Sequence, residues 1–340
     1  MVSGVDSSLA LGEEPALPLR NFALQEGLSQ RTVVQVELDL PTHVDLASAL
    51  LQRAALTVNL QTRHGFDHAR SWVLELSEAR LLSHEAGLQR VLLTLHDPLA
   101  RLGLGLNTRK FRNQTTQTIV STVLDAHGIA YQWSLFVELA PRNYTVQYRE
   151  SDLAFVERLL ALEGIFYQFS ADGTLVLRDR STNSPLLREG VPFELCESNA
   201  ASSEVGLYAI SRGARVAAGM VTLGDHDWKK PHVALRASAQ ASADADLEIY
   251  DYPAGYRSAE EGARLAQMRL EAQRVNARYV RGQANDPSFE PGVGFSVGGF
   301  AAVAFAGEFL VTSVEHRFQG AEGPTSYTAS LSAGPLTTPF

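Results

Sequence analysis

The sequence is poor in cysteine and has neither a membrane-length apolar run nor a cluster of basic residues. Its one cysteine, Cys196, excludes an internal disulfide and a four-cysteine metal site, and is expected to be a small buried hydrophobe. No stretch reaches the ~20 apolar residues of a membrane-spanning helix. The N-terminus lacks the basic region and apolar core of a secretory signal. A protein kept in the cytoplasm, or exported by a route without a signal peptide, is therefore expected.

The charge balance is acidic, with 29 basic and 38 acidic residues and a formal net charge of −9. Nonspecific nucleic-acid binding requires clustered lysine and arginine to neutralise phosphates, so this balance argues against a nucleic-acid partner. Hydrophobic residues make up 45% and charged residues 20% of the 340 positions, as in soluble globular proteins. A chain of this length holds one large domain or about two to three ordinary ones.

Period-two alternation of apolar and polar residues dominates the chain and predicts a mainly β fold with α/β insertions, of the α+β class. About five short strand patterns over residues 15–104 predict a compact antiparallel β-barrel. Residues 186–240 and 285–340 predict a second β-barrel, split by a helical excursion at residues 241–284. Residues 1–14 are small and polar, and we expect them to form an irregular N-terminal arm.

Residues 105–185 predict a mixed α/β segment between the barrels. Its clearest part is residues 144–169, which read as strand, helix and strand. Ser151 is placed to cap the helix, with Asp152 in the first turn, where the helix dipole favours an anion. Gly164 suits the left-handed position that ends a helix. These local signals agree, so we expect a rigid, well-packed unit.

Two further helices have recognisable ends. Capping side chains at residues 113–117 begin the first helix, and Gly128 ends it. Ser258 and Glu261 form a capping-box signature for the second helix, which is expected to end near residues 275–280. Its buried face is predicted to include Leu265, Met268 and Ala272. Between these helices, residues 234–246 are rich in alanine and serine and predict an exposed connection.

Two clusters could be mistaken for metal sites. His64 and His68 have a spacing that suits zinc on a helix, but the neighbouring residues predict the beginning of a strand, where the two rings would lie too far apart. Solvated turn histidines are therefore expected. Asp225, His226 and Asp227 are consecutive and cannot all point at one ion on a regular element. A turn in which the lysines at residues 229–230 neutralise the acids explains them better.

No residue emerges as catalytic. The sequence has no nucleophile elbow and no phosphate-binding loop. Acid and base roles in glycoside hydrolysis could be offered to Glu150, Asp152, Glu157 and Glu163. Helix capping and surface pairing with Arg149 and Arg158 explain these carboxylates at less cost. We therefore predict no catalytic, cofactor-binding or metal-binding residues, no cofactor, and no enzymatic activity.

An aromatic segment at residues 248–256 leaves two alternatives open. Tyr250, Tyr252 and Tyr256 could form a sugar-stacking or partner-anchoring surface. Alternatively, they could pin an irregular loop against a barrel. Exposed coplanar rings in a groove would favour the first alternative.

Several segments together carry a resemblance to a known family. They are LRNFALQEGLS, HDPLARLGLGLNTRKFRNQTTQTIVSTVL, VQYRESDLAFVERLLALEGIFYQF, LGDHDWKKP, IYDYPAGY and FEPGVGFSVGGF…FLVTSVEHRFQG. In order and spacing they resemble the VgrG family of type VI secretion spike proteins, which shares its fold with phage baseplate hub proteins. The resemblance runs from about residue 19 to about residue 320.

The resemblance implies a specific architecture and role. Each subunit is expected to contain two tube-type barrels. Three subunits are expected to form a ring with pseudo-sixfold symmetry. That ring would join a hexameric Hcp-like tube to a threefold spike in a contractile injection machine, which would deliver it out of the cell. The OB-fold and needle of the spike, baseplate proteins and effectors are expected partners outside these residues. The alternatives are a phage-tail-associated cell-wall hydrolase and a carbohydrate-binding module.

Overall fold

The structure, a computed structural model, describes residues 2–12, 15–50, 52–62, 67–85, 87–196, 205–229, 231–320 and 325–340. Strands account for 49% and helices for 16% of the described residues, which confirms the predicted mainly β class. The first half contains β1 (Val2–Leu11), β2 (Leu17–Gly27), β3 (Gln30–Pro41), β4 (Arg53–Thr62), β5 (Asp67–Glu85), β6 (Leu88–His96), β7 (Asn107–Gln114), α1 (Thr116–Ala126), β8 (Tyr131–Ser134), β9 (Arg142–Glu150), α2 (Asp152–Glu163), β10 (Phe166–Phe169) and β11 (Leu175–Arg178). The second half contains β12 (Leu207–Ala214), β13 (Met220–Asp225), β14 (Leu235–Gln240), β15 (Glu248–Asp251), α3 (Ala259–Arg274), β16 (Arg278–Ala284), β17 (Gly294–Ser296), β18 (Glu308–Gln319) and β19 (Ser326–Pro335).

The first six strands form a closed circuit of antiparallel backbone pairings. The order is β1-β4-β5-β6-β3-β2, and β2 pairs again with β1. Along β3, the alternation predicted from sequence directs Val34, Val36 and Leu38 into the interior, where all three are fully buried. Burying one face of each strand against the others supplies the main stabilisation of such a sheet.

Residues 1–14 were predicted to form an irregular arm, but Val2–Leu11 form strand β1, so that prediction is wrong. It pairs with β4 from Val5 opposite Leu60 to Leu11 opposite Ala54. Its small polar residues have weak strand propensity, which is why the sequence pattern did not indicate a strand. Tertiary context outweighs that propensity, because β1 bonds to both β4 and β2 and so leaves neither with a free edge.

A second circuit is built from strands distant in sequence. β12, β16, β19, β18 and β17 pair in that order. Isolated bridges close the circuit: Leu195 pairs with Leu207 of β12, and Phe193 pairs with Val297 beside β17. Its interior is aromatic, with Phe193, Phe289, Phe295 and Phe309 in mutual ring contact. The two circuits share one continuous hydrophobic core.

The circuits are joined along one pair of strands. β18 pairs antiparallel with β2, from Ser313 opposite Gly27 to Gln319 opposite Asn21. The seam between the circuits is therefore a full strand pairing, and one sheet of eleven strands runs through both circuits.

Two smaller units are inserted into this frame. The first contains the β7–β9 ribbon, helices α1 and α2, and the sheet β10-β11-β8, around a core of its own. The second contains the sheet β14-β13-β15 with α3 packed against it. β13 and β14 were predicted to belong to the second barrel, but they pair with each other in the inserted sheet. β16 was predicted to belong to the helical excursion, but it pairs with β19 in the frame. The remaining predicted domain boundaries stay predictions.

The helix ends follow the sequence closely. Thr115 Oγ1 caps α1 by accepting from the Thr118 N–H, and Ser151 Oγ caps α2 by accepting from the Ala154 N–H. Ser258 Oγ caps α3 by accepting from the Glu261 N–H. Ala272, predicted in the buried face of α3, is exposed. Within the described ranges, no helix has the length and apolar character needed to cross a membrane.

Gly164 ends α2 with φ = 70°, as its sequence position predicted. A Cβ built on Gly164 would lie 2.1 Å from the Met268 sulfur of α3. The glycine therefore serves both the left-handed turn and the close approach of the two inserted units. Gly128, which follows α1 with φ = 65°, has open space around the same position.

We expect Gly164→Ala to lower the free energy of unfolding by about 2–4 kcal/mol, because left-handed strain adds to overpacking against Met268. Gly128→Ala is the matched control. It should lower the free energy of unfolding by only about 1–2 kcal/mol, the cost of left-handed backbone strain alone. Urea unfolding of both variants measures the difference. Equal losses would show that the contact with α3 contributes nothing.

Candidate functional site

A buried polar network crosses the seam between the two circuits. The carboxylate of Glu26 on β2 accepts from His316 Nε2 at 2.8 Å and pairs with Arg70 Nη2 at 2.7 Å. Its second oxygen accepts from Trp72 Nε1 at 3.1 Å. The other nitrogen of His316 contacts the Tyr327 hydroxyl. All five side chains are less than a tenth exposed, so the network lies within the core.

Burial, ion pairing and hydrogen bonds together shift the pKa values of the titratable groups in this network. Burial alone would raise the pKa of Glu26, but the charge of Arg70 and hydrogen bonds from His316 and Trp72 outweigh it and lower that pKa. Burial lowers the pKa of His316 and raises that of Tyr327. A neutral imidazole protonated on Nε2 therefore donates to Glu26, while the tyrosine hydroxyl donates to Nδ1.

Arg70 extends the network into the second circuit. Its Nη1 donates to the Phe289 carbonyl oxygen at 2.6 Å, and its Nη2 lies 3.3 Å from a Glu290 carboxylate oxygen. The guanidinium also lies 4.8 Å from the centre of the Trp72 ring. One arginine of β5 thus contacts backbone and side chain from the other circuit, which fixes the relative position of the two circuits.

The joined sheet presents a polar outer face beside the seam. A groove of about 540 Å3 runs across β2, β18, β19, β16 and β12. Its lining includes Gln25, Gln283, Ser313, Ser330 and Ser332. This face carries small hydrogen-bonding groups from both circuits together with the charged Arg281 and Glu315, so it is chemically suited to face water.

The predicted histidine pair does not form a site in the part of the chain that the structure describes. His64 lies outside the described residues. His68 is the second residue of β5, and its Nδ1 lies 3.4 Å from Oδ1 of the buried Asp286. His68 is therefore an ion-pair partner and not the solvated turn residue that we expected. A hydrogen bond to Asp286 raises the pKa of His68, and burial opposes it. Across the described ranges, no group of three or more potential ligands could hold a metal ion.

The acidic cluster after β13 is a turn, as predicted, but backbone groups satisfy it. Asp225 Oδ2 accepts from the Gly255 N–H at 2.5 Å and the Tyr256 N–H at 3.2 Å. Asp227 Oδ1 accepts from the Lys229 N–H. Of the two lysines predicted to neutralise the acids, Lys229 instead places its Nζ over the Trp228 ring, and Lys230 lies outside the described residues.

The three tyrosines divide between the two alternatives. Tyr256 is buried against α3, and its hydroxyl donates to the Leu223 carbonyl oxygen at 3.1 Å. Tyr250 and Tyr252 are 60% and 56% exposed. The segment begins as strand β15, paired in parallel with β13, so it is not the irregular loop that the second alternative assumed.

The carboxylates of the first inserted unit are structural, but two are buried and not at the surface as predicted. Asp152 pairs with Arg109 and His127 and accepts from the Gln147 amide at 2.7 Å. Burial acts to raise the pKa of Asp152, but the hydrogen bonds from these partners and the Arg109 charge lower it to about 2. A surface pair does form between Glu150 and its partner arginine on α2.

Glu163 at the end of α2 connects the two inserted units. It is 9% exposed and pairs with Arg142 at 2.7 Å and with Arg264 of α3 at 3.3 Å. Glu157 accepts from the Tyr167 hydroxyl at 2.8 Å. Cys196 is only partly buried, contrary to expectation.

Sequence reasoning missed the seam network, although a signal for it exists. Glu26 is in phase with the inward-facing Phe22 and Leu24, and His316 is in phase with Val314 and Phe318. A charged residue at an inward position of a strand predicts a buried partner, because an unpaired buried charge is very costly. The identity of that partner could not be read from sequence.

The architecture is that of phage-tail-type proteins. It superposes on the Escherichia coli c3393 protein, described as a component of the type VI secretion system with structural similarity to bacteriophage T4 tail proteins gp27 and gp5. The TM-score is 0.69 at 18% identity, over 97% of this chain and 76% of that one. At this identity the likeness shows the fold.

Residues 25–322 match the model of the phage tail baseplate hub family (GPD), so the chain belongs to that family. The type VI secretion system spike protein VgrG5 of Pseudomonas aeruginosa is 33% identical over 87% of this chain and 38% of its own length. The actin cross-linking toxin VgrG1 of Vibrio cholerae is 27% identical over 95% of this chain and 31% of its own length. The chain thus spans about a third of these relatives. The resemblance to VgrG proteins is confirmed, and neither alternative function gains support.

We expect Glu26→Gln to lower the free energy of unfolding by up to about 3–5 kcal/mol, because it removes the nearer and more buried of the two carboxylates that pair with Arg70 and leaves only Glu290 at 3.3 Å. Glu315→Gln, which removes an exposed pair on the neighbouring strand β18, is the control and should cost less than about 1 kcal/mol. Guanidinium unfolding compares the two. Similar small losses would mean that the seam does not depend on the buried charge.

A second prediction concerns pH. Because the folded pKa of His68 lies above its unfolded value, its protonation contributes stability that is present below about pH 6.5 and is lost as pH rises through the raised pKa. The stability difference between the wild type and His68→Gln should therefore shrink between pH 6 and pH 8.5, as unfolding midpoints would show. His226→Gln, at an exposed turn, is the control. A difference independent of pH would contradict the ion pair with Asp286.

Proposed function

We propose that this chain is the structural hub of a type VI secretion spike, in which three copies form a ring between a hexameric Hcp-like tube and a threefold spike. The observation that carries the proposal is the pair of closed strand circuits joined side by side through β2 and β18. These circuits would be the two tube-type barrels that the VgrG resemblance implies. Three chains then offer six similar surfaces, which adapts threefold to sixfold symmetry.

The polar face of the joined sheet supports this arrangement. A hollow hub needs a wall that water can wet, and the serine- and glutamine-lined groove beside the seam provides such a wall from both circuits. The continuous backbone pairing at the seam would let the wall pass from one barrel to the next without a gap.

The partners and route follow from the same role. The OB-fold and needle of a spike, baseplate proteins and effectors would bind outside the frame, and the injection machine would deliver the hub out of the cell. We propose no catalysis for these residues, since the carboxylates considered as acids and bases are held in ion pairs and hydrogen bonds of the inserted units. Any toxin activity such as that named for VgrG1 would belong to other parts of the relative.

The purified chain should sediment as three chain masses at micromolar concentration, and particle images should show threefold rings with one sixfold-like end. Added hexameric tube protein of the same secretion system should bind at that end. A stable monomer, or measurable peptidoglycan cleavage by the pure protein, would contradict the proposal.

A further inference from the structure

The two-stranded β7–β9 ribbon leaves one of its faces uncovered. On β9, Tyr144, Val146 and Tyr148 project from it and are 57%, 36% and 68% exposed. Arg112 and Lys110 of β7 lie opposite Tyr144 and Val146 and are also exposed. We call these five side chains the ribbon face. Three large apolar groups at alternating positions of one strand make a contiguous patch of the kind that marks an interaction site.

The ribbon is held firmly from behind, so its outer face is a defined surface. Phe111 stacks on Phe155 of α2 at 5.8 Å between ring centres. Gln147 is fully buried, and its amide donates to Asp152. Because the inner face is packed in this way, the exposed aromatics cannot turn inwards without breaking the unit.

The chain leading into the ribbon enlarges the apolar surface. Leu104 and Leu106, immediately before β7, are 78% and 75% exposed. Such exposure of two leucines beside three further apolar side chains is unfavourable in water. A partner that covered them would remove this cost.

The charge of the ribbon face defines its partner. Lys110 and Arg112 are its charged members, and neither has an ion pair among the described residues. A complementary surface must therefore be apolar and acidic.

The same chain carries such a surface on its second inserted unit. Strand β15 pairs only with β13, so its other edge has no strand partner in the described part of the chain. Leu247, Ile249 and Tyr250 are 41%, 37% and 60% exposed along it. Asp246 and Glu248 alternate with them, are exposed, and have no ion pair among the described residues. We call residues 246–250 the β15 edge, and exposed strand edges are normally covered in native assemblies.

We propose that the ribbon face of one copy of this chain packs against the β15 edge of the next copy in a ring. This inference rests on the proposed trimer and names the surfaces that hold it together. The contact is heterologous, since two different surfaces meet, and such a contact forms a ring where the rotation between copies closes, as the proposed trimer requires. Apolar side chains supply the buried area, while Lys110 and Arg112 face Asp246 and Glu248.

Charge reversal tests this pairing. The double variant Lys110→Glu/Arg112→Glu should raise the concentration at which the trimer dissociates by about tenfold or more, because like charges then face each other. Asp246→Lys/Glu248→Lys, on the other unit, should do the same. Combining all four changes restores opposite charges and should return the dissociation concentration to within about threefold of wild type. Sedimentation at ~0.05 M and ~0.5 M salt should show the effects shrinking as salt screens the charges.

The control Arg53→Glu/Arg236→Glu makes the same change in charge at exposed positions on β4 and β14 and should leave the trimer unchanged. Circular dichroism verifies folding of each variant. A wild type that is monomeric would overturn both the trimer and this contact. A trimeric wild type whose double variants stay trimeric, or whose fourfold variant is not restored, would overturn this contact alone.

Discussion

One buried carboxylate fixes the geometry on which the rest of the frame depends. Glu26 and His316 are 290 positions apart in sequence, yet they share a hydrogen bond across the seam. A carboxylate in this setting is tolerated only if its partners are all in place, so Arg70 and Trp72 of β5 must reach it as well. The register of β2 against β18 and the position of β5 are therefore set together. A slip of one residue would direct Glu26 outwards and remove the nearer of the two carboxylates that pair with Arg70.

The inserted units meet at the end of α2. Glu163 pairs with Arg264, and Gly164 allows the close approach of Met268. The large exposed apolar side chains of the ribbon and of β15 lie on these units, whereas the groove beside the seam is lined mostly by polar and charged residues.

The low identity to proteins of the same fold has a physical explanation. At 18% identity the c3393 protein still superposes with a TM-score of 0.69. Sheets of this kind require inward-facing apolar residues at every second position, and many residues of suitable size meet that need. Fold alone does not assign an activity, since function lies in particular sites. Here the family match and the joined circuits point to assembly.

The sequence by itself determined the local structure. Ser151 and Gly164 bound α2 because capping and left-handed turns depend on neighbouring residues, and strand alternation revealed the mainly β class. Which strands pair was decided only in the tertiary structure. β1 is a strand because it closes a circuit, and Asp152 is a buried ion-pair centre because Arg109 and His127 converge on it. Such contacts join residues far apart in sequence, so no local sequence pattern predicts them.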